Sequence, residues 1–303
     1  MGEIQPRTCA ALLLLALIQV NTATSVHWGY ENDGPSRWSK IFPLCGETRQ
    51  SPINIVNSKV YARQKIGNIT MIGYDKPITM KIRNNGHTAR IDITRGDVFI
   101  TNGGLPGKYK LLQLHFHWGS DNGKGSEHTI NGERFPMEVH LVHYLTSAAN
   151  VGEALTLPGG LAAIGFMFEI SEDDNNEYDN IISKLPQITE YRDGDIFSVP
   201  LAEFAIGDLL PNNPCHFYRY FGSLTTPSCN EIVVWSVFKE KINISERQLS
   251  EFRKLMTSEG GHLQNNFRPV QPLNGRVVQA NFNVADTDDW LEEKENDGME
   301  KEE

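Results

Sequence analysis

Residues 111–143 read LLQLHFHWGSDNGKGSEHTINGERFPMEVHLVH, and the fold of the whole chain turns on how this stretch is laid down. Along LLQLHFHW (111–118), apolar and polar side chains alternate with a period of two, as in a β-strand whose faces meet different surroundings. The alternation assigns Leu112, Leu114, Phe116 and Trp118 to one face and Gln113, His115 and His117 to the other. A connection rich in turn residues follows, then a second apolar strand, FPMEVHLVHY (135–144). Glu138, His140 and Val142 share one of its faces, and His143 takes the opposite one. Placed in one sheet, the two strands bring His115, His117 and His140 together.

Three imidazoles without a cysteine suit Zn2+ and leave a fourth coordination position for water, the arrangement of a catalytic rather than a structural site. A ligating histidine also needs a partner for its other ring nitrogen, to fix its tautomer and orientation. Gln113 stands two residues before His115, and Glu138 two before His140, each on its ligand's own face. A histidine pair two apart on a strand describes a packed or surface pair equally well. The third histidine and the two spaced partners favour the metal.

The remaining composition frames this centre. A chain of 303 residues holds one large β domain or two ordinary ones. Apolar content of 39% and charged content of 22% describe a soluble globular protein. A net charge of −10 with no basic stripe excludes nucleic acid as the expected partner. Residues 1–24 read as a signal peptide, with Arg7 ahead of the short apolar run ALLLLALIQV and small residues after it. With no second long apolar run and no apolar C-terminal tail, the expectation is a secreted, extracellular protein without a membrane anchor. Cys9 falls inside the signal, which leaves Cys45, Cys215 and Cys229, one pair and one free thiol. Spacing alone does not choose the pair. Asn68 and Asn243 begin glycosylation sequons. Strand-like runs with short Gly- and Asn-rich connections dominate, and the clearest helix is predicted over 244–256, capped by Ser245. Residues 285–303 form an acidic tail, ten carboxylates against two lysines, expected to be disordered; weak calcium or mineral binding is the sharper expectation for it.

QLHFHWGS (113–120), GSEHT (125–129), EVHLVH (138–143) and GSLTTP (222–227) resemble the signature blocks of the α-class carbonic anhydrases. Similar blocks run from about Trp28 to about Phe282. That family is itself the reference case for zinc held by three histidines. The resemblance implies a β-dominated fold: one catalytic domain over 25–284, built on a large, twisted, mostly antiparallel central sheet with a few short helices. It implies one Zn2+ on His115, His117 and His140 and reversible hydration of carbon dioxide to bicarbonate by zinc hydroxide. Thr225, donating to Glu127, would orient that hydroxide. His87 in NNGH (84–87) would shuttle the proton, a task suited to an unperturbed pKa of roughly 6.5. Val142, Ala163, Leu224, Val233 and Trp235, with Thr225 and Thr226, would line the substrate pocket. The resemblance pairs Cys45 with Cys229 and implies a cis bond at Ser51–Pro52. Cys215 is then left as a small buried apolar group or as the source of an intermolecular disulfide. His128 and His143 read as structural.

Several positions depart from the family pattern. Ala163 stands where valine is common, which implies a roomier wall open to small esters. Arg90 replaces a smaller polar residue and adds positive charge near the exit of an anionic product. Ser228 replaces a second proline and puts a cis bond there in question. Tyr144 and Phe267 stand where tryptophan is common and read as core substitutions. Relatives that act as silent binding modules lack ligands, whereas all three are present here. A zinc hydrolase acting on esters would use the same centre and is separated by its rates.

Overall fold

The central strands are buried on both sides, so both faces of their sheet are covered. In the computed structural model, which describes residues 27–192 and 197–284, seven long strands form the middle of a fourteen-stranded sheet. They are β1 (Pro77–Asn84), β2 (Ala89–Arg95), β3 (Tyr109–Trp118), β4 (Met137–Leu145), β5 (Leu161–Ser171), β6 (Phe217–Gly222) and β7 (Val233–Phe238). Their order across the sheet is β1-β2-β3-β4-β5-β7-β6. All neighbours run antiparallel except β5 and β7, which are parallel. This is the β-rich single domain with a large, mostly antiparallel sheet that the sequence predicts. The segments 1–24 and 285–303, read above as signal peptide and acidic tail, lie outside the described residues.

One face carries the main core, in which Ile82, Ile91, Leu114, Phe116, Leu141 and Phe166 are buried together. The other face carries a second apolar cluster that includes Val142, Ala163, Val233 and Trp235. Strand register decides what shares that second face with them. Arg90, His115, His140 and Gly165 stand side by side across β2, β3, β4 and β5. Two residues along, Gln113, Val142, Ala163 and Trp235 form the next row. Because side chains two apart share a face, a polar row and an apolar row lie against each other.

The alternation on β3 is broken once. Pairing with β4 shifts between Leu111 and Gln113, so Leu112 is the extra residue of a bulge. Leu111, not Leu112, joins Leu114, Phe116 and Trp118 in the core, and Leu112 is half-buried. The helix α1 (Glu246–Phe252) is shorter than predicted. Ser245 caps it and Gln248 closes a capping box, as the sequence suggests, but Ile244 belongs to a strand paired with Ile170 of β5. At the other end Leu255 turns out of the helix to accept a backbone bond from Leu263.

Cys45 and Cys229 are joined by a disulfide and are buried with Trp38. The Ser51–Pro52 bond is cis, and so is Pro227–Ser228, so serine at 228 does not remove the cis bond. Tyr144 is half-buried and packs against the second apolar cluster, whereas Phe267 is half-buried outside the clusters, with the Arg134 guanidinium 5.2 Å from its ring. Cys215 is also only half-buried, which corrects its reading as core filler.

Candidate active site

His115 and His140 face each other on β3 and β4, and His117 stands opposite Glu138. One nitrogen of each ligand candidate is tied up. His115 Nδ1 lies 3.0 Å from Gln113 Oε1, and His140 Nε2 lies 2.7 Å from Glu138 Oε1. His117 Nδ1 lies 2.7 Å from the Asn266 carbonyl, a partner from far downstream that the sequence reading missed. The nitrogens left over converge, and the three histidines offer ligand atoms that all lie within 4.8 Å of one another. His117 Nε2 and His140 Nδ1 are 3.1 Å apart, close to the edge of about 3.3 Å that two nitrogens span around tetrahedral zinc.

The electrostatics suit a cation. Burial, reinforced by the neighbouring His117, His140 and Arg90, lowers the His115 pKa well below its usual range. Burial brings His117 down to about 4, and it lowers His140 even though Glu138 opposes it. All three rings are therefore neutral near pH 7, as metal ligation requires. Burial alone would raise the Glu138 carboxyl, but His128 and His140 overcome it and hold the group well below the ordinary range. Glu138 Oε2 also accepts from the backbone N–H groups of Glu127 and His128, at 2.7 and 2.8 Å. His128 belongs to this network rather than to plain core packing. Its Nδ1 is 2.7 Å from Glu138 Oε1 and its Nε2 is 2.7 Å from the Tyr220 hydroxyl, which donates to Ser51 Oγ. A donor set of three neutral imidazoles, each oriented from behind, fits Zn2+ and keeps a position open for water.

Glu127 is buried beside these ligands. Its Oε1 accepts from the Arg268 backbone N–H at 2.8 Å, while Oε2 lies 3.4 Å from His117 Nε2 and 3.8 Å from His140 Nδ1. Burial raises its pKa to about 7, against the pull of His140, the Arg268 N–H and the adjacent Thr225 hydroxyl. Thr225 is buried and Thr226 half-buried, both in the loop that the Cys45–Cys229 disulfide braces. Val142, Ala163, Val233 and Trp235 are buried in one apolar cluster, with Leu224 packed against it.

His87 lines the same cleft as Arg90, His115, His117 and Thr226. Its ring is stacked on Trp28, an arrangement that no local spacing announces. Burial, then the nearby His27, lowers its pKa to about 4. Arg90 is held by Asp92, with Nε 2.8 Å from Oδ1. His143 points to the other side and lies 2.7 Å from the Tyr74 hydroxyl, consistent with a structural role. Gly165, unremarked in the sequence, sits where an added Cβ would come within 3.1 Å of Glu138 Oε1.

Residues 33–282 match the family model described as eukaryotic-type carbonic anhydrase. The chain is 41% identical to carbonic anhydrase 7 of Homo sapiens over 266 residues, 84% of this chain and 97% of that protein. It is 35% identical to carbonic anhydrase 6 of Bos taurus over 278 residues, 89% of this chain and 85% of that protein. With carbonic anhydrase 4 of Rattus norvegicus it shares 34% identity over 282 residues, 88% of each. A histidine triad of this geometry, carried within a match of that extent, places the chain in the eukaryotic-type carbonic anhydrase family as a zinc-dependent enzyme, with His115, His117 and His140 as the zinc ligands.

Proposed function

We propose that the chain is a secreted carbonic anhydrase that interconverts carbon dioxide and bicarbonate, with Thr225 and Glu127 orienting the attacking oxygen and His87 carrying the proton. The observation that carries this reading is the convergence of three neutral imidazoles, each with its outer nitrogen engaged. When bound, zinc supplies the Lewis acidity that brings the pKa of a coordinated water towards neutrality, a behaviour for which this enzyme family is the reference case.

The chain's own groups do the rest. Glu127 Oε1 accepts from the Arg268 N–H, and Oε2, which has no hydrogen-bond partner among the described residues, is the oxygen left to take the Thr225 hydroxyl hydrogen. Thr225 is then restricted to accepting from the attacking oxygen, so a lone pair of that oxygen turns towards carbon. A dication nearby would favour the ionised form of Glu127 that this requires. The apolar wall of Val142, Ala163, Leu224, Val233 and Trp235 suits an uncharged, weakly polar substrate. His87 accepts the released proton in the cleft it shares with His115 and His117.

Secretion is supported by the Cys45–Cys229 disulfide, which fits an oxidising compartment, and by the exposure of Asn68 and Asn243. For the acidic run 285–303, weak calcium or mineral binding is the alternative to a run with no binding role, and calcium titration of the full chain against a truncation after Asn283 separates the two. The main test is zinc content together with stopped-flow carbon dioxide hydration, before and after chelation. We expect one zinc per chain, loss of hydration on its removal and loss of both in His115→Ala. Full hydration by metal-free protein would overturn the reading.

A further inference from the structure

We propose that Cys215, His216 and Glu240 form a second divalent-metal site, separate from the catalytic triad and suited to a thiophilic, borderline-soft cation such as Zn2+. The ladder between β6 and β7 ends at the pair Phe217–Phe238, and the two chain ends continue side by side beyond it. There Lys239 N–H donates to the His216 carbonyl at 2.9 Å. The Glu240 carboxylate folds back over the other strand's approach. Its Oε1 accepts from the backbone N–H groups of Cys215 and His216, at 3.3 and 3.1 Å. That grip turns two consecutive side chains, which an extended backbone would send apart, towards one point.

The donor atoms have the spacing of a metal's coordination shell. Cys215 Sγ lies 3.6 Å from His216 Nδ1 and 3.7 Å from Glu240 Oε1, and His216 Nδ1 lies 2.9 Å from Glu240 Oε1. Around tetrahedral zinc, sulfur–nitrogen edges come to about 3.5 Å and nitrogen–oxygen edges to about 3.3 Å. Only the nitrogen–oxygen edge has to open, by a few tenths of an ångström. The backbone is braced as well. Asn281 Nδ2 donates to the Cys215 carbonyl at 2.7 Å, and the His216 ring packs edge-on against Phe282 at 5.1 Å. The His216 side chain keeps 48% of its surface and Glu240 23%, so a cation can enter and water can complete the shell. Burial and Glu240 raise the Cys215 pKa, so an incoming metal must displace the thiol proton.

A simple His216–Glu240 hydrogen bond with a thiol beside it would look similar in geometry but would not bind metal through sulfur. Cadmium distinguishes the two, because a cadmium–thiolate bond gives an ultraviolet charge-transfer band that a three-histidine site cannot. The zinc-loaded chain without residues 1–24, and so without Cys9, is titrated with Cd2+, and the reaction of Cys215 with a thiol reagent is followed in parallel. We expect a saturable band at one equivalent and slower thiol modification once cadmium is bound. Cys215→Ser should lose the band, while Glu240→Gln and His216→Ala should weaken cadmium binding by about tenfold or more. Carbon dioxide hydration should be unchanged in all three variants, which also shows that they are folded. No band, or a band of equal affinity in Glu240→Gln and His216→Ala, would overturn the proposal and leave the hydration reading untouched.

Discussion

Trp28 and His87 stack face to face, with ring centroids 3.8 Å apart and planes 9° from parallel. The stack covers one face of the half-buried imidazole, and desolvation by burial is the first cause of its pKa of about 4, with His27 adding repulsion. A base held so low transfers protons inefficiently at neutral pH, so the shuttle role proposed for His87 requires its ring to leave the stack. In Trp28→Ala the ring regains water, and its pKa should rise towards roughly 6.5, read by NMR titration of the His87 ring. An unchanged value would mean that the stack is not what lowers it.

Removing the ring tests its role directly. His87→Ala should slow turnover on the order of a hundredfold, the lower end of what positioned proton-transfer groups contribute. Imidazole buffer should restore much of the loss, since a diffusing base can enter the cleft in place of the side chain. Zinc content should not change. Loss without rescue would count against His87 as the proton carrier.

Gly165 supports the zinc ligands by what it lacks. An added Cβ would stand 3.1 Å from Glu138 Oε1 and 3.6 Å from His140 Cδ2. Glu138 has little room to yield, because its two oxygens serve His128, His140 and two backbone N–H groups. Gly165→Ala should therefore displace the carboxylate from His140 and weaken zinc about tenfold, the smaller end of the effect of losing a ligand's outer partner. Competition with a chelator measures this. Wild-type affinity in the variant would show that the carboxylate can shift without harm.

What could be read from the chain follows the range of the interactions. Alternation on β3 and β4 is a local signal, so the shared face of His115, His117 and His140 was legible, as were Gln113 and Glu138 two residues away. The bulge at Leu112 was not, because one extra residue in an apolar run leaves no turn chemistry to mark it. Asn266 was invisible for a different reason. It serves His117 through its backbone carbonyl, a group every residue has, while its side chain ties Trp118, His87 and Phe116 together. Thr225, Glu127 and the Cys45–Cys229 pair came from resemblance alone, since no spacing links residues so far apart.

His143 should make stability depend on acid. Its ring is fully buried, and burial lowers its pKa to about 3, while the Tyr74 hydroxyl lies 2.7 Å from Nε2. The folded value lies below the unfolded value of roughly 6.5, so the unfolded chain takes the proton first as pH falls. The contribution is intact above about pH 6.5 and is lost progressively towards pH 3. His143→Gln does not titrate there. Urea denaturation of metal-depleted protein across that range should show wild type losing on the order of 4 kcal/mol relative to the variant. Parallel curves would mean that the ring is already hydrated in the native state.

Ala163 sits between Val142 of β4 and Trp235 of β7 in the sheet, and all three belong to the buried apolar cluster on the zinc face. Valine at 163 adds two methyl groups at a position only 2% exposed, where overpacking typically costs about 1–3 kcal/mol. The added bulk falls on the wall and not on a ligand, so zinc binding should persist. A linear three-atom substrate needs little of that space, whereas an activated ester needs more. Ala163→Val should therefore lower kcat/KM for ester hydrolysis more than for carbon dioxide hydration. Both rates are measured on the same zinc-loaded preparation, so that any loss of folded enzyme cancels in the ratio. A ratio that stays constant would place the ester away from this wall, and one that moves in favour of the ester would contradict a size limit at Ala163.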